Sequence, residues 1–251
     1  MTTPRHTESF SVRAYSVDRT KRLSIPKLVQ FMHETAMQHV LQLQLSVWDL
    51  EPLHLAWVLT RIDIKIQQQP LLGETIHVQT NPSGFEKIRT FRDYRMLNQE
   101  GQLLASAVST WFLMDTKTRR LARVPAVIKT KIEDIITQID NPLARNPAQN
   151  LSLQRTDYQQ SFRVAWHDLD FNAHLNNIHY LKWLLDALPE QFLDTHQLRS
   201  LDIHYKQECV LNDEILSEVQ FTETGKSTHR LSKSGKEVAS AVCSWEASSS
   251  I

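Results

Sequence analysis

Glycine is scarce in this chain of 251 residues. There are five, Gly73, Gly84, Gly101, Gly225 and Gly235, and no two lie within six residues of one another. The dinucleotide-binding loop, the phosphate-cradling loop and the Gly-x-Ser-x-Gly nucleophile turn each need closely spaced glycines, so all three are excluded. Cysteine is scarcer still. Cys209 and Cys243 alone make neither a disulfide framework nor a zinc site. Charge of one sign is missing too, with Lys+Arg and Asp+Glu both at 28. A chain held to nucleic acid by its overall charge would be strongly basic. No apolar run approaches the roughly 18–20 residues needed to span a bilayer, and MTTPRHTESF at the N-terminus has no secretory apolar segment. The expectation is a soluble, cytoplasmic protein with reduced thiols, and nothing calls for a metal or a cofactor.

What is present is a core and a repeat. Apolar residues make up 41% of the chain, enough to exclude wholesale disorder, and the length suits one large domain or two small ones. GQLLASAVSTW ending at Trp111 recurs as GKEVASAVCSW ending at Trp245, 134 residues later. Ile62–Ile76 aligns with Leu201–Ile215 at a spacing of 139, and Phe10–Glu34 with Phe162–Asp186 at 152. Three blocks recurring in one order argue for duplication.

Each copy has the same layout. A short strand (Phe10–Tyr15; Phe162–Trp166) leads through a loop to a helical pattern. In the first copy Leu28, Phe31, Met32, Thr35 and Ala36 mark the apolar face, with Ser24 capping and Pro26 in the first turn. In the second the face is Ile178, Leu181, Leu185 and Leu188, with Asn176 or Asn177 as the cap. Alternating strands follow, Ile62-Ile64-Ile66 and Leu201-Ile203-Tyr205. A helix followed by long antiparallel strands predicts an α+β fold, a sheet wrapped around a helix. The expected domains are residues 1–131 and 158–251, joined by an Asn-, Gln- and Pro-rich linker over 132–157.

The second copy carries a dense polar run, His167 to Asn177, just before its helix. Burying so many polar side chains for packing alone is unfavourable, and free N–H groups at a helix start can polarise a carbonyl oxygen. Asp170, Asn172 and His174 alternate, so an extended segment would turn them to one side. The other reading is a turn with capping residues. The first copy bears on the choice. It has Asp18, Thr20 and Arg22 at the three positions, and Gln69 and Pro70 where the second has Glu208 and Cys209. Packing residues persist in both copies while the titratable set survives in one, the pattern of a working site beside a retired one.

Five segments then resemble one family, the acyl-acyl carrier protein thioesterases of fatty-acid synthesis. D-L-D-x-N-x-H-x-N-N-x-x-Y runs from Asp168 to Tyr180, and Y-x-x-E-C from Tyr205 to Cys209. Asp18-Arg19-Thr20 through Glu34-Thr35-Ala36 matches the family's helix segment, and Trp57-Val58-Leu59-Thr60-Arg61 its W-V-x-T-R. Met114 to Leu121 matches M-N-x-x-T-R-R-L, with Asp115 for Asn. The resemblance implies tandem hotdog domains, each a long helix wrapped by an antiparallel sheet. It also implies hydrolysis of fatty acyl-acyl carrier protein to free fatty acid, with an N-terminal repeat that binds the acyl chain and a catalytic C-terminal repeat. The plant enzymes' targeting extension is absent, which suggests a bacterial-type, cytoplasmic enzyme.

The expected mechanism has His174 and Glu208 positioning and deprotonating the nucleophile. Asn172 orients a partner or binds the carbonyl, and Asp170 tunes His174 or is itself the nucleophile. N–H groups near Leu175, Asn176 and Asn177 are candidate oxyanion donors. Cys209 with His174 and Asn172 is the lower-ranked alternative, a lone strand cysteine being more often a small apolar residue. The family's acidic carrier protein needs a basic surface, and Lys117, Arg119, Arg120, Arg123, Lys129 and Lys131 cluster within fifteen positions, though a solvated turn reads the same way. Competing functions are an acyl-CoA thioesterase of the same fold and a non-catalytic acyl-binding module. Monomer and homodimer both remain open.

Overall fold

The computed structural model describes residues 4–149, 152–222 and 225–248. They form two compact units, Met1–Ile62 with Gln67–Asn146, and Asp63–Ile66 with Pro147–Ile251.

The first unit opens with β1 (His6–Ser11), followed by helices α1 (Ile25–Gln42) and α2 (Val47–Leu50). The strands β2 (Leu55–Ile66), β3 (Thr75–Glu86), β4 (Arg89–Leu97), β5 (Leu103–Asp115) and the short β6 (Arg120–Ala122) come next, then helix α3 (Ala126–Ile136). Leu28, Phe31, Met32, Thr35, Ala36 and His39 are the buried face of α1, the three-and-four spacing of an amphipathic helix. Pro26 sits in the first turn, where its missing N–H is no loss.

The second unit contains β7 (Tyr158–Arg163), helices α4 (Asn177–Asp186) and α5 (Glu190–Thr195), and strands β8 (His196–Tyr205), β9 (Glu214–Phe221), β10 (Lys226–Lys233) and β11 (Lys236–Ala247). Tyr180, Leu181, Trp183, Leu184 and Leu185 are the buried side of α4. Asn176 is the cap, its side chain accepting the Ile178 N–H at 3.1 Å.

The strand orders are the same in kind: β1-β3-β4-β5-β2 in the first unit and β7-β9-β10-β11-β8 in the second. Matching hydrogen bonds show the duplication residue by residue. Val12 N–H bonds Glu74 O at 2.8 Å, and Val164 N–H bonds Asp213 O at 2.9 Å. The Glu74 carboxylate accepts Leu71 N–H and the Asp213 carboxylate Val210 N–H, each at 2.8 Å. Even the register shift recurs, after Met96 in β4 and after Leu231 in β10. This is the α+β double hotdog.

The structure departs from expectation at the first strands and at the linker. β1 and β7 begin and end about four residues early, because the chain after Val12 and Val164 coils into 3-10 turns at Ala14–Ser16 and Trp166–Asp168. The predicted linker start, Ile132, lies inside α3. Ile128, Ile132 and Ile135 pack in one apolar cluster with Leu43, Leu45, Leu50 and Leu113, so the first unit continues to Asn146.

Candidate active site

The polar run before α4 is not an extended segment. Asp170 N–H bonds His174 O at 2.7 Å and Ala173 N–H bonds Asp170 O at 3.0 Å, while Ala173 takes a left-handed φ of 60°. One carboxylate oxygen of Asp170 accepts the Asn172 N–H at 2.8 Å and the His174 N–H at 3.1 Å. The first unit builds the same loop. Asp18 accepts Thr20 N–H at 2.8 Å and Arg22 N–H at 3.3 Å, with Lys21 left-handed at 62°. An aspartate kept in both copies for the same backbone bonds is first a loop former.

Each loop is then tied to the segment after the unit's long strand. Leu175 N–H bonds Cys209 O at 2.8 Å, as Leu23 N–H bonds Pro70 O at 2.7 Å. That tie carries His174 to Glu208, with Nε2 and Oε2 3.4 Å apart and both side chains partly open to solvent. At the equivalent place in the first unit no such pair exists. Gln69 is buried there and donates to Leu23 O at 3.0 Å.

The other expected residues fare differently. Asn172 is exposed, and its side-chain amide makes no hydrogen bond among the described residues. Cys209 is fully buried. Its N–H bonds the Tyr180 hydroxyl at 2.9 Å, and that hydroxyl donates to Gln207 O at 3.0 Å. Burial pushes the Cys209 thiol pKa up, against the thiolate a nucleophile requires. Two of the proposed oxyanion donors are already spent: Leu175 N–H on Cys209 O, and Asn176 N–H on Asp168 O at 2.9 Å. Among the described residues, the Asn177 N–H at the first position of α4 has no acceptor. It remains available to a ligand oxygen.

A second pair went unassigned in the sequence. His179 Nδ1 lies 3.4 Å from Asp168 Oδ1. Burial lowers the His179 pKa, the Asp168 charge opposes this, and the Lys182 charge adds to it. The signal was His179 lying two residues past Asn177 in the first turn of α4, where the family motif leaves an unspecified position. No group of His, Cys, Asp and Glu among the described residues is arranged to hold a metal ion.

The acyl-ACP thioesterase N-terminal domain model matches residues 4–132, and the acyl-ACP thioesterase C-terminal domain model residues 151–247. The chain belongs to the acyl-ACP thioesterase family. It is 30% identical over 212 residues to the chloroplastic palmitoyl-acyl carrier protein thioesterase of Gossypium hirsutum, covering 80% of this chain and 51% of that one. To oleoyl-acyl carrier protein thioesterase 2 of Arabidopsis thaliana it is 28% identical over 232 residues, 86% of this chain and 63% of the relative. The chain spans about half the length of the first of these relatives. The fold matches the 12:0-ACP thioesterase of Umbellularia californica with a TM-score of 0.90 at 23% identity, over 99% of both chains. It matches an acyl-ACP thioesterase of Bacteroides thetaiotaomicron with a TM-score of 0.88 at 22% identity, over 97% of this chain and 98% of that one.

The family's M-N-x-x-T-R-R-L segment lies on the turn between β5 and β6. Lys117 and Arg119 on that turn, Arg120 at the start of β6 and Arg123 just after it are exposed. Lys129 and Lys131 of the expected patch lie on α3 and make their own contacts. Lys129 pairs with Glu133 at 3.4 Å, and Lys131 donates to Leu43 O at 3.4 Å. Among the described residues, no helix is long and apolar enough to cross a membrane.

Proposed function

We propose that this chain is a cytoplasmic thioester hydrolase releasing free fatty acid and holo-acyl carrier protein from fatty acyl-acyl carrier protein. The observation that carries the reading is the His174–Glu208 pair, at 3.4 Å, in one of two otherwise matching loops. In the proposed mechanism Glu208 orients His174, and His174 takes a proton from a water as that water attacks the thioester carbonyl. The Asn177 N–H stabilises the tetrahedral oxyanion at the start of α4. Collapse breaks the C–S bond, and His174 returns the proton to the departing thiolate. Asp170 holds the loop so that His174 faces Glu208. The acyl chain lies in the first unit between α1 and its sheet, and the Lys117–Arg123 turn receives the acidic carrier.

The test is release of free thiol from acyl-acyl carrier protein and acyl-CoA side by side. His174→Ala and Glu208→Gln are expected to lower kcat by about 10²–10⁴-fold, while Cys209→Ala stays near wild type. Loss of turnover in Cys209→Ala with retention in Glu208→Gln would sink the carboxylate mechanism. Charge reversal at Arg120 and Arg123 raises KM for the carrier-borne substrate and leaves acyl-CoA unmoved. Equal turnover of both substrates, indifferent to salt and to these reversals, would favour the acyl-CoA reading instead.

A further inference from the structure

The start of α4 is held by side chains that the start of α1 does not have. Asn176 N–H bonds the Asp168 carbonyl at 2.9 Å, and His179 N–H bonds the Asn176 carbonyl at 2.9 Å. The Asp168 carboxylate accepts the Ala165 N–H on one oxygen at 2.8 Å and turns the other to His179 Nδ1 at 3.4 Å. These contacts run from the 3-10 turn at Trp166–Asp168 to the first turn of α4 and back. Asn177 lies within that ring of contacts, and the Tyr205 hydroxyl of β8 donates to its carbonyl at 3.4 Å.

The repeat separates what the fold needs from what it does not. Ser24 N–H bonds the Ser16 carbonyl at 3.0 Å, so the backbone contact is common to both copies. Phe10 stacks on Phe31 at 4.3 Å and Phe162 on Trp183 at 5.1 Å, which fixes the correspondence of the two helices. The side chains differ. Ser16, Lys27 and Ile66 stand where the second copy has Asp168, His179 and Tyr205, and Lys27 donates to Gln30 Oε1 at 2.8 Å. A first turn therefore forms without the pair. The pair occurs in the copy that also carries His174 and Glu208.

The surroundings of His179 decide what kind of tie this is. The Trp183 ring lies 6.1 Å from its own, centroid to centroid. Burial lowers the His179 pKa, the Asp168 charge opposes this, and the Lys182 charge adds to it. Lys182 is itself paired with Asp186 at 2.5 Å. Near neutral pH the His179 ring is therefore uncharged, and a carboxylate 3.4 Å from Nδ1 favours the tautomer with the proton on that nitrogen. The tie is a donor facing an anion.

We propose that Asp168 and His179 position the Asn177 N–H for the thioester oxygen, His179 acting through the first turn of α4 without touching substrate. The inference rests on the hydrolase reading and on Asn177 as the oxyanion donor. Such a donor works only where its N–H meets the oxygen as negative charge develops, and a displacement of about 1 Å costs up to about 100-fold in rate. Ground-state binding of the acyl chain and the carrier does not use this amide. Loss of the pair therefore falls on kcat and spares KM.

The experiment is steady-state kinetics on acyl-acyl carrier proteins from eight to eighteen carbons, with folding checked by chemical denaturation. His179→Leu and Asp168→Ser, the latter installing the first copy's residue, are each expected to lower kcat about 10–100-fold with KM within about twofold. The double variant is no slower than the slower single, as for two halves of one device. His179→Asn keeps a donor near the Nδ1 position and recovers most of the loss. Should Asp168→Ser not fold, the two His179 variants carry the comparison. Wild-type kcat in a folded His179→Leu, a loss confined to KM, additive losses in the double variant, or equal losses in His179→Leu and His179→Asn would each overturn the positioning pair while leaving the hydrolase intact. No turnover by wild type on any member of the series defeats the hydrolase reading itself.

Discussion

Asp18 and Asp170 make the same backbone bonds in their loops, yet one of these loops presents Arg22 and the other His174. The acceptor oxygen is thus separable from the chemistry it supports. Asp170→Asn keeps that oxygen and should hold the loop, whereas Asp170→Ala strands two N–H groups. The alanine variant is expected to lose about 1–2 kcal/mol of stability and to fall in kcat more than the asparagine variant, measured by chemical denaturation and turnover. Equal losses in both variants would instead assign the carboxylate charge a direct role. At this scale the sequence was partly legible. The repeat exposed which polar residues are unique to the second copy, but not that Leu175 and Asn176 spend their N–H groups on Cys209 and Asp168, since those acceptors are fixed by a loop closing on a distant strand.

The elements were the most legible part, because helix periodicity is local. The faces of α1 and α4 agree with the spacing of Leu28, Phe31 and Met32, and of Leu181 and Leu185. Leu181 is fully buried beneath α4, and Leu181→Ala is expected to destabilise by about 3–5 kcal/mol, read from the denaturation midpoint at unchanged slope. A loss under 1 kcal/mol would mean that the helix is not seated on its sheet as described. First-strand boundaries were misread because Val12 and Val164 are apolar while the chain after them turns, and alternation alone does not mark where a ladder ends. The helix α3 was hidden by a polar stretch that follows it, although its isoleucines recur at three-and-four spacing.

At the scale of the whole molecule, buried histidines shape the response to pH. Burial lowers His33 and His229 to about 4 and His39 to about 3, with the Arg92 charge adding to the effect at His39. Each of these folded pKa values lies below the unfolded value near 6.5, so the unfolded chain binds more protons between the two. Stability is therefore full above pH 6.5 and is lost as pH falls toward 4, by on the order of 3 kcal/mol per histidine at most. Thermal melts from pH 7 to pH 4 should show Tm falling, and His229→Gln should flatten the fall. A Tm flat across that range would contradict the burial of these rings.

The sequence by itself determined the duplication, the two helix faces, the family, and the residues that distinguish one copy from the other. Each is a matter of local spacing or of comparison along the chain. Only the tertiary structure decided which of those residues meet. His174 and Glu208 lie on segments joined by a loop-to-strand hydrogen bond, and Cys209 is closed off beneath Tyr180. Such contacts depend on register and burial, which are set when strands pair and a helix is laid across them.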